Sequence, residues 1–163
     1  MILTYIVSFS EMQQKVKEET SHIAVREVDK DGNSLFESFV FDEGYETLFR
    51  DYFFGAIGEI SEKLAAYTKE LPVESLLIET SRAGGEDFIA QLIMPDNFNH
   101  VFAKPVGVNI EAFFKAYIVY RWLEDKLPEK AEPYGVRYDD LGSRINADLN
   151  KRSNGIRRGN RYW

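Results

Sequence analysis

Asp29, Asp31 and Asn33 in "DKDGNSLFESFV" stand at the spacing that opens a calcium-binding loop. Such a loop also needs glycine at its sixth position, for the tight turn, and a bidentate glutamate at its twelfth. Here those positions hold Ser34 and Val40. Without the glutamate the oxygen count falls short, and Asp, Gly and Asn are also what any surface turn prefers. The segment reads as a turn, and no metal site is expected.

Other reactive residue types are thinly spread. His22 and His100 are far apart, and neither has a ligand partner at i+3 or i+4, so a zinc site is not expected. Nothing resembles the G-x-S-x-G elbow of a serine hydrolase. "RAGGED", residues 82–87, lacks the Gly-Lys-Ser/Thr of a phosphate cradle and reads as a hairpin turn. The pairs Glu86–Asp87 and Asp139–Asp140 have the residue types of glycosidase carboxylates. A solvated turn and a helix N-terminus, where negative charge suits the helix dipole, account for them more simply. The chain has no cysteine, so thiol chemistry is excluded. No catalytic residue or cofactor is assigned, and the expectation is a protein that is not an enzyme.

The last thirteen residues, "KRSNGIRRGNRYW", carry five basic residues and no acidic one. Residues 1–150 then hold 15 basic against 27 acidic residues, a net charge of −12. Such a body repels duplex DNA and anionic membranes. The entropy cost of ordering thirteen residues exceeds what burial of Tyr162 and Trp163 returns, so the tail is expected to be loose in an isolated monomer. Fully extended it spans about 40 Å, past a body with a radius of gyration of about 15 Å. Arg152, Arg157, Arg158 and Arg161 suit carboxylates on a neighbour, and Ile156, Tyr162 and Trp163 suit apolar anchoring. These seven residues are the expected partner-binding set. The competing reading is a monomeric nucleic-acid-binding or regulatory module, with arginines on phosphates and aromatics stacked on bases.

The elements expected to carry this tail follow from periodicity. The 163 residues suit one domain, residues 1–150, with 151–163 as a basic aromatic arm. Residues 2–9 read as a short strand or an apolar lead-in. Ser10 with Gln13 predicts a capped helix from Glu11, with 22–28 open between helix and strand. Residues 35–41 are open between strand, helix and packed loop. Apolar residues from Tyr45 to Tyr67 recur at three and four, predicting a helix of about 25 residues ended by Pro72. Gly55 and Gly58 inside it imply close approach of a neighbour. A β-hairpin is expected from 74–81 with 87–94, turning on Gly84 and Gly85. "PDNFNHVF" suits one helical turn. Asn109 is expected to cap a central helix touched on several sides and stopped by Pro128. A loop follows, then a last helix over Arg137–Lys151. No segment is apolar and long enough to span a membrane, and no signal peptide is evident, so a soluble, unprocessed chain is expected. The fold class is α+β, mainly helical with about four helices, one β-hairpin and an extended C-terminal arm.

Several segments carry a likeness: "VKEETSHIAV", "DEGYETLFRDYF", "FFKAYIVYRWLEDKLPEKAEPYG" and "LNKRSNGIRRGNRYW". In this order, with a hairpin in the middle, the chain resembles small structural proteins of tailed phages and prophages, of the neck or head–tail connector type. The likeness covers most of the chain, although its tail lacks the prolines of similar tails. It implies a virion component that forms a homo-oligomeric ring and contacts portal or tail proteins. It also implies a location in the virion, and in the host cytoplasm during assembly. No catalytic residues come with it.

Overall fold

The computed structural model describes residues 1–68, 78–80 and 86–153. The architecture is α+β and mainly helical, with four long helices and a small antiparallel sheet. Strand β1 (Ile2–Val7) alternates as a half-buried strand should, with Leu3, Tyr5 and Val7 turned inward and Ile2, Thr4 and Ile6 exposed. It pairs antiparallel with β3 (Glu86–Ile93), Ile2 opposite Ile93 and Val7 opposite Phe88. On the other side of β3 lies β2 (Ile78–Thr80), giving the order β1-β3-β2. The hairpin is therefore present as β2 and β3, and the N-terminal segment adds a third strand to it. The expected turn at Gly84 and Gly85 lies outside the described residues.

One residue separates β1 from helix α1 (Phe9–Ala24). That residue, Ser8, is the N-cap, and its hydroxyl accepts from the Glu11 amide at 3.4 Å. The cap is thus Ser8, not Ser10, and the helix starts two residues earlier than the capping-box pattern implies. Phe9, Met12, Val16, Thr20 and Ala24 form its buried stripe, which settles 22–24 as helix. Asp29 then closes the turn that follows. Its carboxylate accepts from the amides of Asp31 and Asn33 and from the Asn33 side chain, and these bonds hold its pKa below the usual range. Gly32 takes the left-handed backbone the turn needs, with φ of 82°.

Residues 35–41 form neither a strand nor a loop throughout: Phe36–Phe39 is a four-residue helix, α2. Two side chains tie its C-terminal end and the residues just after it to the core. The Trp122 indole donates to the Phe39 carbonyl at 2.8 Å, and the buried Thr20 hydroxyl accepts from the Phe41 amide at 3.0 Å. The Phe41 ring stacks on Trp122, with centroids 4.2 Å apart and planes within 5°, and the Lys126 ammonium lies 3.7 Å from the Trp122 ring centre.

Helix α3 (Glu46–Thr68) buries Phe49, Phe53, Ala56, Ile60 and Leu64 along one stripe. Gly55 meets the expected close neighbour: a methyl group there would lie 2.7 Å from the Tyr117 oxygen. Gly58 does not, because nothing lies within 4 Å of its Cβ position. Helix α4 (Ala103–Leu123) begins six residues before Asn109, which sits inside it. Pro105 falls in the first turn, where its missing N–H leaves no bond unmade. A 3-10 turn, His100–Phe102, leads into it. Ten residues of α4, including Phe113, Phe114 and Trp122, are buried, and the helix touches α1, α3, β1 and the last helix. Phe53 and Phe88 both pack on Phe114, at centroid distances of 5.1 and 5.3 Å, which joins α3 and the sheet to α4.

Pro128 starts a helix instead of merely stopping one. Helix α5 (Pro128–Leu149) has Pro128 in its first turn and includes the whole stretch expected to be a loop. A proline at the first helical position is favourable, since φ is already helical there. Pro133 lies further in and has no N–H to return to the Glu129 carbonyl. Packing of Ala131, Leu141, Ile145 and Leu149 into the common core holds α5 in place despite it. Among the described residues no helix is long and apolar enough to cross a membrane.

Candidate docking surfaces

The root of the basic arm is tied down. Beyond Leu149 the chain turns back along residues 97–99: Arg152 forms a bridge with Phe98, the Asn99 amide donates to the Lys151 carbonyl, and the Ser153 amide donates to the Asn97 carbonyl at 2.8 Å. The Ser153 hydroxyl donates to the Phe98 carbonyl at 3.1 Å. Arg152, one of the expected partner-binding set, donates from its guanidinium to the Leu149 carbonyl at 2.9 Å and to the Lys151 carbonyl at 3.3 Å, and so caps the C-terminal end of α5. That use answers the orphan carbonyls and the negative end of the helix dipole. The other six residues of the expected set, Ile156, Arg157, Arg158, Arg161, Tyr162 and Trp163, lie outside the described residues.

At the opposite end of α5 a groove of about 410 Å³ runs between α4 and α5. Its floor is aromatic, with Tyr120 and Tyr138 rings 5.7 Å apart. Its rim carries Glu124, Glu132 and Asp139. Glu124 is partly engaged by Arg121 at 3.5 Å, with the arginine side chain exposed and the glutamate half-buried. Gly135 lets α5 approach α4, since a methyl group there would lie 3.1 Å from the Tyr120 ring. Burial, with help from Asp139 and Glu59, raises the Tyr138 pKa. Asp139 is therefore a groove residue in the middle of a helix, not the helix N-terminal charge expected from the Asp139–Asp140 pair. This site was not legible in the sequence, because its two walls are joined only once residues 128–136 are helical.

A second groove, about 330 Å³, lies between the outer edge of β1 and the first turns of α4, from Thr4, Tyr5 and Ile6 on one side to Lys104, Gly107, Val108 and Glu111 on the other. Tyr5 crosses it. The tyrosine hydroxyl donates to the Ala103 carbonyl at 2.9 Å, its ring packs on Gly107, and burial pushes its pKa up to about 12. Glu111 is paired with Lys15 at 2.8 Å.

Asp87 and the two histidines lie apart from both grooves. Asp87 accepts from the Phe9 amide at 3.0 Å, which pins the start of α1 to β3. His22 sits in the last turn of α1 and His100 in the 3-10 turn before α4, beside Phe98. Among the described residues no three His, Cys, Asp or Glu side chains are grouped to hold a metal. Comparison with family models, curated proteins and solved structures found no match.

Proposed function

We propose that this protein is a non-enzymatic assembly subunit of a tailed-phage virion, of the head–tail connector or neck ring type. It docks neighbouring copies, and portal or tail proteins, through its C-terminal arm. One observation carries the reading: the cationic arm leaves one end of α5, and the acid-rimmed aromatic groove opens toward the other. Helix α5 has 22 residues, so these two features stand roughly 20–30 Å apart along its axis. Arg157, Arg158 and Arg161 complement Glu124, Glu132 and Asp139 in charge, and Tyr162 and Trp163 complement the tyrosine floor. A contact joining the tail of one copy to the head of the next is heterologous. Such contacts repeat, and they close into rings when the rotation allows. The likeness to phage neck proteins supports the same reading. The ten residues after Ser153 span about 33 Å when extended, enough to cross to a neighbour. On this reading the protein acts in the virion and is made in the host cytoplasm.

The test compares the intact chain with a chain ending at Ser153, which keeps the tied root. Light scattering in the presence of neck and tail components is expected to show assembly of the first and not of the second. The triple substitution Glu124→Lys, Glu132→Lys and Asp139→Lys is expected to abolish assembly with the fold intact by circular dichroism. If both chains assemble alike, the arm has no docking role. Salt-sensitive DNA binding that disappears with the arm would replace this reading with the nucleic-acid one.

A further inference from the structure

The outer edge of β1 is built for pairing with another strand. The Met94 amide donates to the Met1 carbonyl at 2.8 Å and the Met1 amine to the Met94 carbonyl at 3.2 Å, so Met1 and Met94 are a hydrogen-bonded pair. Antiparallel ladders alternate hydrogen-bonded and non-hydrogen-bonded pairs. With the observed register, Leu3, Tyr5 and Val7 spend their backbone groups on β3, and Ile2, Thr4 and Ile6 point theirs out of the sheet. Among the described residues no hydrogen bond reaches those three N–H and three C=O groups. Natural edge strands are protected by lysine, proline, bulges or shortness. "ILTYIV" has six residues, no charge, no proline and an unbroken register. The flanking apolar side chains are open: Ile2 is 59 % exposed, Ile6 57 % and Val108 59 %.

We infer that β1 pairs antiparallel with β1 of a second copy, about a two-fold axis through Thr4. This interface is separate from the arm, and each can exist without the other. The two-fold puts Thr4 opposite Thr4 and Ile2 opposite Ile6, so that all six outward groups of each strand are used. Two three-stranded sheets become one of six strands, and Ile2 and Ile6 form β-branched cross-strand pairs on its outer face. Charge selects the same partner. Tyr5, next to the axis, packs on Gly107, midway between Lys104 and Glu111, which lie two helical turns apart on the groove wall. The same rotation sets Lys104 of one copy toward Glu111 of the other, whose carboxylate also holds Lys15 of its own chain at 2.8 Å, making the surface self-complementary. An isologous contact of this kind needs no other chain.

The experiment uses sedimentation of the intact chain over a concentration series, with two kinds of variant. Thr4→Pro removes an N–H that β3 does not use, and proline is tolerated on a strand edge facing solvent. It should leave the monomer folded and raise the dimer dissociation constant roughly tenfold or more, because two of the six interchain bonds go. Cysteine placement reads the register against a background that has no cysteine. Thr4→Cys should form an interchain disulfide on mild oxidation, since paired Cα atoms near 5.5 Å are within bridging range. Ile2→Cys and Ile6→Cys should each fail alone and cross-link when mixed. The charge swap Lys104→Glu should weaken the dimer several-fold, and Lys104→Glu with Glu111→Lys and Lys15→Glu, which keeps the intrachain pair, should restore it. A chain that stays monomeric with Thr4→Cys uncrosslinked overturns the inference. So does a dimer lost on removal of residues after Ser153 but indifferent to Thr4→Pro.

Discussion

In both grooves a tyrosine ring lies against a helical glycine, Tyr5 on Gly107 and Tyr120 on Gly135, and in each a methyl group on the glycine would come within 3.1 Å of the ring. The contacts match, but their surroundings do not. Tyr5 is held at its far end by the Ala103 carbonyl, in a groove with one lysine, one glutamate and an apolar strand edge. Tyr120 is half-buried, has no hydrogen bond from its hydroxyl among the described residues, and stands under three carboxylates. The same local packing device thus supports a nearly neutral edge that suits strand pairing and an acidic trough that suits a cationic arm. What separates them is the direction of the open polar groups: backbone in one, side chain in the other.

The largest expected effect removes what both grooves stand on. Phe114 is fully buried between Phe53 and Phe88, and Phe114→Ala should lower the urea-unfolding free energy by about 3–5 kcal/mol. If the loss is below about 1 kcal/mol, the sheet and α3 are not sharing α4 as a common support. Next come the glycines themselves. Gly107→Ala should destabilise by about 1–3 kcal/mol, because the tethered Tyr5 ring cannot move aside. Gly135→Ala should be within about 1 kcal/mol of neutral, because Tyr120 can swing toward solvent and alanine is the better helix former. Equal thermal shifts for the two would erase the proposed difference between a locked and a free ring.

A smaller effect is expected at high pH. A tyrosine whose pKa is raised on folding favours its neutral form in the folded state. Its contribution to stability is complete below the ordinary tyrosine pKa of 10 and is lost as pH rises through about 12. Unfolding curves between pH 9 and 12 should therefore show a decline that Tyr5→Phe reduces, at a cost near 1 kcal/mol at neutral pH for the lost hydrogen bond. The mildest contrast is in salt. Between 50 and 500 mM salt, strand pairing at β1 should weaken only several-fold, as its Lys104–Glu111 pairs are screened, and any arm contact with the α4–α5 groove should weaken more steeply.

Legibility from sequence followed the range of the signal. Helix α3 and the body of α4 declare themselves by apolar residues at three and four, because a buried stripe is a local consequence of burial. The half-inward pattern of β1 is equally local and admits a strand over residues 2–9, but its partner β3 is more than 80 residues away, so the pairing itself has no local signature. The first nine residues of α5 read as a loop from sequence because Pro128 and Pro133 look like breakers. Only position within the helix makes the first favourable, and only core packing tolerates the second. The acidic groove was hidden behind that same error. Arg152 reads as a docking residue from its charge, and the carbonyls it caps have no signature in the sequence. Thr20 is the converse case: an ordinary polar residue on a helix stripe, whose hydroxyl orders the backbone at Phe41 from twenty-one positions away.

The setting of Trp122 also makes it an optical probe. Its indole is clamped between the Phe41 ring on one side and the Lys126 ammonium on the other, with its N–H fixed on the Phe39 carbonyl. Detachment of the 36–41 segment would free the ring stack and the N–H bond at once, leaving only Lys126 in place, and shift the emission toward that of a hydrated indole. The chain has two tryptophans, so Trp163→Phe leaves a single emitter. Fluorescence of that variant then follows the departure of one short helix from the core, apart from anything the arm does.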